Sequence, residues 1–135
     1  MSAISSEQHA AAHEAPFARI AIAGLGLIGA SLAAALREAY PDVELFGADI
    51  DERTCEIARA KGWVDGASAP DAPSFRDFVE RADLAVVATP VDASESILRL
   101  LAEWDFEGVI TDTASTKAHL ARVASEILPH PHNYV

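Results

Sequence analysis

Three glycines near the start of the chain have the spacing of a phosphate-binding motif. Gly24, Gly26 and Gly29 form G-x-G-x-x-G directly after the apolar residues 20–23. In such a motif the first glycine permits a tight turn, the second lets the backbone approach a pyrophosphate, and the third lets a helix pack closely against a strand. The motif alone is weak evidence for nucleotide binding, so the residues around it decide its meaning.

The residues after the motif predict the helix that such a site requires. Small and apolar residues run from Leu27 to Ala39 at helical spacing. The first backbone N–H groups of a helix have no intrahelical acceptor, and the helix dipole favours negative charge beside them. We therefore expect the helix start, at Leu27, Ile28 and Gly29, to face the phosphates of a dinucleotide.

Asp49 meets a second condition of the motif, an acidic residue about 20 positions further on, at the end of the next strand. A carboxylate there accepts hydrogen bonds from both ribose hydroxyls and repels a 2′-phosphate, which favours NAD over NADP. The alternative is a loop carboxylate that accepts a backbone hydrogen bond. Arg53 offers a cation to a 2′-phosphate, but we interpret it as an exposed residue in the first turn of a helix capped by Asp51.

Composition argues against several other classes of protein. The chain has 135 residues, enough for about one domain. Its formal net charge of -11 argues against binding to nucleic acid or an anionic membrane, and no apolar run is long enough for a membrane span. Cys55 is the single cysteine, which excludes an internal disulfide and fits a cytoplasmic location. Residues 1–16 are predicted to be a disordered leader without a secretory signal, in which His9 and His13 are solvated, and no metal site is expected.

Alternating strand and helix patterns predict a doubly wound, mostly parallel α/β sheet of the Rossmann type over residues 17–135. Strands are predicted at 19–23, 43–48, 83–91, 109–112 and 133–135, helices at 27–39, 51–62 and 75–81, and a surface loop at 65–73. Ser74 is the predicted cap of the third helix. In the first helix, the residues predicted to face the sheet are Ile28, Leu32, Ala35 and Leu36. Two later helices are predicted from apolar residues at helical spacing. The first of these carries Ile97, Leu98, Leu101 and Trp104, and the second carries Leu120, Val123, Ala124 and Ile127.

Two strand exits are predicted to lie beside the dinucleotide. Thr89 and Pro90 end the strand next to the first one, where the proline would hold the turn rigid; a plain strand-to-helix connection explains them equally without a ligand. Ser115 follows the strand 109–112 at the same edge of the sheet. Its hydroxyl and the ammonium of Lys117 would reach a carboxylated substrate there, whereas in the alternative Ser115 only caps the next helix.

Together these segments resemble the cofactor half of the prephenate dehydrogenases, a family that includes the arogenate and cyclohexadienyl dehydrogenases of tyrosine biosynthesis. The likeness rests on residues 23–32, 46–49, 84–91 and 111–117, and the Thr-Asp-x-x-Ser-x-Lys segment is its most discriminating part. It implies oxidation of a cyclohexadienol by hydride transfer to NAD, with loss of carbon dioxide as the ring becomes aromatic. In the family the serine matching Ser115 lies at the substrate hydroxyl and the nicotinamide, which makes Ser115 and Lys117 the catalytic candidates.

Other parts of the family's site are expected beyond residue 135. The catalytic histidine belongs to a Gly-Gly-His-Pro segment expected after a strand such as 133–135, and the substrate-binding arginines and a helical dimerisation domain are expected later. His119, His130 and His132 are not adequate substitutes for that histidine. If these 135 residues are the whole polypeptide, we expect cofactor binding with little turnover. If they belong to a longer enzyme, we expect the full activity and a homodimer.

Three alternatives stay open from the sequence. Another NAD-linked reductase, of a hydroxyacid or an imine, would lack Gly-Gly-His-Pro downstream. A methyltransferase would bind an adenosyl cofactor on the same sheet, but its first loop does not require the third glycine. A nucleotide-sensing module would bind without catalysis, and fold alone does not exclude it. The choice between prephenate and arogenate depends on side chains outside these residues.

Overall fold

Strands and helices alternate along the chain in the computed structural model, which describes residues 15–114 and 118–135. The strands are β1 (Arg19–Ala23), β2 (Glu44–Ala48), β3 (Gly66–Ser68), β4 (Leu84–Val87) and β5 (Val109–Asp112). The helices are α1 (Leu27–Ala39), α2 (Glu52–Ala60), α3 (Pro73–Val79), α4 (Val91–Glu103) and α5 (Ala118–Ile127), and a short 3-10 helix, Pro131–Asn133, follows α5.

The five strands form one sheet in the order β3-β2-β1-β4-β5, and every pairing between them is parallel. The chain winds in one direction from β1 to β3 and in the other from β4 to β5. Ligands of such sheets bind beyond the carboxyl ends of the strands, at the point where the order reverses. That point lies between β1 and β4, so the predicted doubly wound fold is confirmed.

Two apolar layers cover the two faces of the sheet. Alternate residues of β1 point to opposite faces, as in any strand. Ile20 and Ile22 pack in the layer that holds α1 and α2, and Ala21 and Ala23 pack in the layer that holds α3, α4 and α5. Each face is therefore sealed by helices, and the open side of the sheet is the edge at which its strands end.

The predicted loop at 65–73 is wrong in part, because it contains β3. Gly66–Ser68 pairs with β2 in parallel at the edge of the sheet. Three residues with small side chains do not produce the alternation by which strands are recognised. β3 is therefore formed by backbone hydrogen bonding to β2, and its side-chain pattern does not predict it.

Two details of the helices also differ from prediction. Ser74 does not cap α3: the helix begins at Pro73, and Ala72 occupies the cap position. Proline is favoured in the first turn because its missing N–H would have no intrahelical acceptor. In α1, Ile28 and Ala35 are exposed, whereas Gly29 and Ala33 are buried. The helix presents its smallest residues to the sheet and thereby approaches β1 closely.

The strand predicted at 133–135 is wrong in extent: Tyr134 and Val135 lie alongside β5, as expected, but pair with it through a single bridge. Tyr134 makes one isolated parallel bridge with Ile110, and the Val135 N–H donates to the Ile110 carbonyl at 2.8 Å. Asn133 belongs to the 3-10 helix. None of the helices in the described part of the chain has the length and apolar character needed to cross a membrane.

Candidate nucleotide-binding site

The turn after β1 requires glycine at its first position. Gly24 has φ +98°, a left-handed conformation that side chains rarely adopt. A Cβ atom there would also lie 2.7 Å from the Ala88 carbonyl carbon. The Gly24 N–H donates to the Ala48 carbonyl at 2.6 Å. The turn is thus held between the ends of β2 and β4, at the switch point of the sheet.

The third glycine of the motif sets the distance between α1 and that turn. A Cβ atom on Gly29 would lie 1.8 Å from the Gly24 carbonyl oxygen, far inside van der Waals contact. The structure therefore confirms that this glycine permits close packing.

Gly26 differs from the other two glycines because, among the described residues, there is open space where its side chain would lie. A Cβ atom there would meet no atom of residues 15–114 or 118–135 within 4 Å, and Gly26 is exposed at the cap position of α1. No side chain caps the helix, and its first turn contains no acidic residue. The fold therefore does not require glycine at this position. A ligand that approached the Gly26 backbone and the N–H groups of Leu27 and Ile28 would require it, because a side chain would stand in its way.

Asp49 lies at the end of β2, half-buried, with both carboxylate oxygens pointing to backbone donors. Its Oδ2 accepts from the Leu25 N–H at 2.8 Å, and its Oδ1 accepts from the Asp51 N–H at 2.9 Å. The backbone bond considered as the alternative is therefore present. Each carboxylate oxygen accepts more than one hydrogen bond, so both retain capacity for ribose hydroxyls. The link to Leu25 fixes Asp49 against the glycine turn.

In the part of the chain that the structure describes, the Arg53 side chain makes no hydrogen bond or ion pair with Asp49. Asp51 caps α2, as predicted, by accepting the Arg53 N–H at 2.9 Å, and the Arg53 side chain is exposed.

Exposed apolar side chains gather at the carboxyl edge of the sheet. Leu27 is 86% exposed and Ile50 is 90% exposed, and about half of the surface of Ile28 and of Val91 is exposed. They follow β1, β2 and β4, three neighbouring strands of the sheet. A cleft of about 430 Å³, lined in part by Leu27, lies between α1 and α2. A ligand with apolar faces as well as phosphates fits this edge.

Ser94, which sequence reasoning missed, fixes the predicted Thr89–Pro90 exit of β4. Its side chain is 1% exposed, and its Oγ lies 2.9 Å from Thr89 Oγ1. The same hydroxyl donates toward the carbonyls of Thr89 at 3.1 Å and Pro90 at 3.0 Å. A serine four residues after a strand-ending proline was the signal for this contact, because a hydroxyl at that spacing reaches back to the preceding turn.

Gly47 is a second residue that sequence reasoning missed. A Cβ atom there would lie 2.6 Å from Leu25 Cδ1. Leu25 is 2% exposed, so its burial depends on the missing side chain of Gly47. This packing anchors the residue whose N–H holds Asp49.

Asp112, whose role the sequence did not assign, joins two segments at the end of β5. It is 7% exposed; Oδ1 accepts from the Ala114 N–H at 2.9 Å, and Oδ2 accepts from the Tyr134 hydroxyl. Burial, followed by the bond to Asp112, raises the pKa of the Tyr134 phenol above its usual range. Ser115 and Lys117, the catalytic candidates, lie outside the described residues. Ala114, the last described residue before them, lies just after the end of β5.

We predict that Tyr134→Phe destabilises the chain by about 1–3 kcal/mol near neutral pH, because it leaves a buried carboxylate oxygen without its donor. A raised phenol pKa means that the hydroxyl contributes stability below its ordinary pKa of 10.0 and that this contribution is lost as the pH rises above that value. Urea unfolding at several pH values should therefore show the gap between wild type and Tyr134→Phe narrowing in alkali. Tyr40→Phe is the matched control, and a gap that stays constant with pH would contradict this account.

The fold and the site define a class: a doubly wound α/β domain with a phosphate-binding glycine turn and an acidic residue at the end of the second strand. The chain belongs to the prephenate dehydrogenase family. Residues 32–135 match the family model described as the prephenate dehydrogenase nucleotide-binding domain. The glycine motif lies before the matched range, so the turn and the family match are independent observations.

Relatives from several bacteria agree with that membership. The chain is 35% identical over 118 residues to a prephenate dehydrogenase of Bacillus subtilis (strain 168), covering 86% of this chain and 31% of that protein. It is 33% identical over 115 residues to a cyclohexadienyl dehydrogenase of Zymomonas mobilis, covering 84% of this chain and 38% of that protein. The chain thus spans about a third of the length of the curated relatives it matches.

Among solved structures, the fold is similar to that of prephenate dehydrogenase from A. aeolicus in complex with hydroxyphenyl propionate and NAD+. The TM-score is 0.74 at 24% identity, covering 86% of this chain and 39% of that one. At this identity the likeness supports the fold alone.

Proposed function

We propose that this chain binds NAD and forms the cofactor half of an enzyme that oxidatively decarboxylates prephenate or arogenate. The observation that carries the proposal is the pairing of an open glycine with a fixed carboxylate. Gly26 leaves space beside its backbone, and Asp49 is held against the same turn through Leu25. A pyrophosphate at the glycine turn and an adenosine ribose at the acidic residue are the two contacts by which such domains hold a dinucleotide.

Each described residue of the site has a distinct task in this proposal. The N–H groups of Leu27, Ile28 and Gly29 bind the pyrophosphate, and Asp49 accepts from the ribose hydroxyls. Thr89 and Pro90, held by Ser94, line the path of the dinucleotide across the switch point. Bound NAD supplies the hydride acceptor.

The substrate chemistry rests on the family and its relatives. Oxidation moves a hydride from the ring carbinol carbon to the cofactor, and the hydroxyl proton passes to a base. The bond to the ring carboxylate then breaks, its electron pair enters the ring, and carbon dioxide leaves. Ser115 and Lys117 are proposed to orient the substrate hydroxyl and a carboxylate at this edge. We place the enzyme in the cytoplasm and infer that its whole form is a homodimer, as the family resemblance implies.

Calorimetric titration with NAD, NADP and S-adenosylmethionine tests the cofactor step. We expect NAD to bind most tightly; preference for S-adenosylmethionine would replace the proposal with a methyltransferase. The substrate step is tested on the polypeptide as its gene encodes it, by adding prephenate or arogenate with NAD and following NADH absorbance. NAD binding without NADH production from either substrate would favour another reductase or a nucleotide sensor.

We predict that Asp49→Asn lowers the affinity for NAD by about tenfold or more, since a hydrogen bond to a charged group contributes about 1.5–3 kcal/mol. Affinity for NADP should fall less, because the substitution also removes a charge that repels the 2′-phosphate. The NAD to NADP affinity ratio is the readout, and a general loss of folding would not change it selectively. Asp51→Asn is the control, because asparagine also caps helices well. An unchanged ratio in Asp49→Asn would remove Asp49 from the ribose site.

A further inference from the structure

Three side chains of metal-binding type converge at the end of the sheet opposite the proposed nucleotide site. His130 Nε2 lies 3.3 Å from Asp105 Oδ1 and 4.0 Å from Glu107 Oε1. All three potential ligand atoms lie within 4.8 Å of one another. Asp105 and Glu107 precede β5, whereas the dinucleotide edge lies where β5 ends. We propose that these residues form a binding site for a divalent transition-metal ion of the Zn²⁺ type.

The backbone of the loop that carries the two acidic residues is fixed without help from an ion. Asp105 takes a left-handed conformation with φ 51° just after α4, and its N–H donates to the Ala102 carbonyl at 3.0 Å. Phe106, 6% exposed, anchors the loop between the two acidic residues in the core. The ends of the loop are thereby fixed, and the carboxylates point outward.

A separate contact fixes the histidine relative to this loop. The Asn133 side-chain amide donates to the Glu107 carbonyl at 2.7 Å, and the Asn133 N–H donates to the His130 carbonyl at 3.0 Å. The 3-10 helix that starts after His130 is therefore joined to the loop that carries both acids. The loop that carries both acids and the segment that carries His130 are far apart in sequence, so a metal-binding pattern was not visible before folding.

The donor set and the space around it fit zinc. Zn²⁺ binds imidazole nitrogen and carboxylate oxygen at about 2.0–2.2 Å, so ligand atoms that share one ion lie about 3–4 Å apart. Both distances from His130 Nε2 satisfy this condition. The Glu107 side chain is 79% exposed, so a change of rotamer brings its oxygen closer to Asp105. A cleft of about 470 Å³, lined in part by Asp105 and Glu107, leaves room for a water ligand.

The competing account is an ion pair between a protonated His130 and the two carboxylates, which needs no metal. The two accounts differ in what they predict for added zinc. An ion pair would compete with metal, because the imidazole must be neutral to coordinate. If the three side chains are metal ligands, they would bind one ion, which would link His130 to the loop before β5.

Calorimetric titration of the chain with ZnCl₂, after treatment with a chelator, tests the proposal. We expect one site whose affinity falls by at least tenfold in His130→Ala, since loss of residues that merely orient a ligand costs about 10- to 100-fold. Glu107→Gln should also weaken it, and this exposed position leaves the fold intact. His119→Ala, on the exposed face of α5, is the matched control and should bind as wild type does.

Zinc should also raise the melting temperature of wild type but not of His130→Ala. Equal zinc affinity in wild type and His130→Ala would overturn the site, and so would the absence of any saturable binding. Neither result depends on NAD, so failure here leaves the proposed function unaffected.

Discussion

Gly26→Val is expected to abolish NAD binding while the free energy of unfolding stays within about 1 kcal/mol of wild type. A Cβ atom at this position meets no atom of the described residues within 4 Å, and the extended backbone, with φ −69° and ψ −161°, is open to valine. The cost to the fold is limited to replacing glycine at a helix cap, about 1 kcal/mol. The valine would occupy the space through which a pyrophosphate reaches the N–H groups at the start of α1.

The loss of affinity should exceed about 100-fold, because at least two hydrogen bonds to a charged group disappear, at about 1.5–3 kcal/mol each. NAD titration and urea unfolding of the same variant measure the two quantities separately. Gly62→Ala is the reverse control: its φ of +73° makes alanine cost about 1–2 kcal/mol of stability, and NAD binding should persist. Wild-type NAD affinity in Gly26→Val would displace the pyrophosphate from this turn and the proposed function with it.

Gly29→Ala is expected to lower the free energy of unfolding by about 3 kcal/mol or more. Its Cβ would lie 1.8 Å from a backbone oxygen of Gly24, which no side-chain rotation relieves, so α1 has to move away from β1. Alanine is worth about 1 kcal/mol more than glycine inside a helix, and the clash must exceed that gain. The measured decrease in the free energy of unfolding is therefore the cost of the clash minus the gain in helix propensity.

Urea unfolding followed by two spectroscopic probes measures this effect, and NAD affinity should fall as well because the turn shifts. Gly26→Ala is the control within the same motif, since its added methyl group lies in open space. A Gly29→Ala chain with the unfolding midpoint of wild type would mean that α1 and the turn pack more loosely than the structure has them.

The contrast between these glycines marks what sequence could and could not predict. The motif predicts the β1–turn–α1 unit with correct bounds, because periodicity and glycine spacing are local properties. It also predicts that Asp49 lies beside the turn, since parallel strands end at one edge of a sheet. Which backbone groups Asp49 binds depends on how close β2 lies to the turn, a tertiary property.

Other parts of the structure have no local signal. β3 exists because β2 offers an open edge, and its small residues carry no alternation. Asp112 and Tyr134 are 22 positions apart, and only the docking of the last residues onto β5 brings them together. Asp105, Glu107 and His130 meet for the same reason, on the opposite end of that strand. Long-range pairing thus decided these three features, whereas the contact of Ser94 with Thr89 and Pro90 is local.

The hydrogen bond between the Leu25 N–H and Asp49 has a consequence for how cofactor preference can evolve. The carboxylate is tied to the same turn that we propose to bind the diphosphate, so it cannot swing aside for a bulkier sugar without losing its hydrogen bond to the turn. Acceptance of a phosphorylated ribose would then require replacement of the residue itself rather than a change in its rotamer. A lineage with this arrangement would change its redox coenzyme in one discrete genetic step, with few intermediate forms that use both.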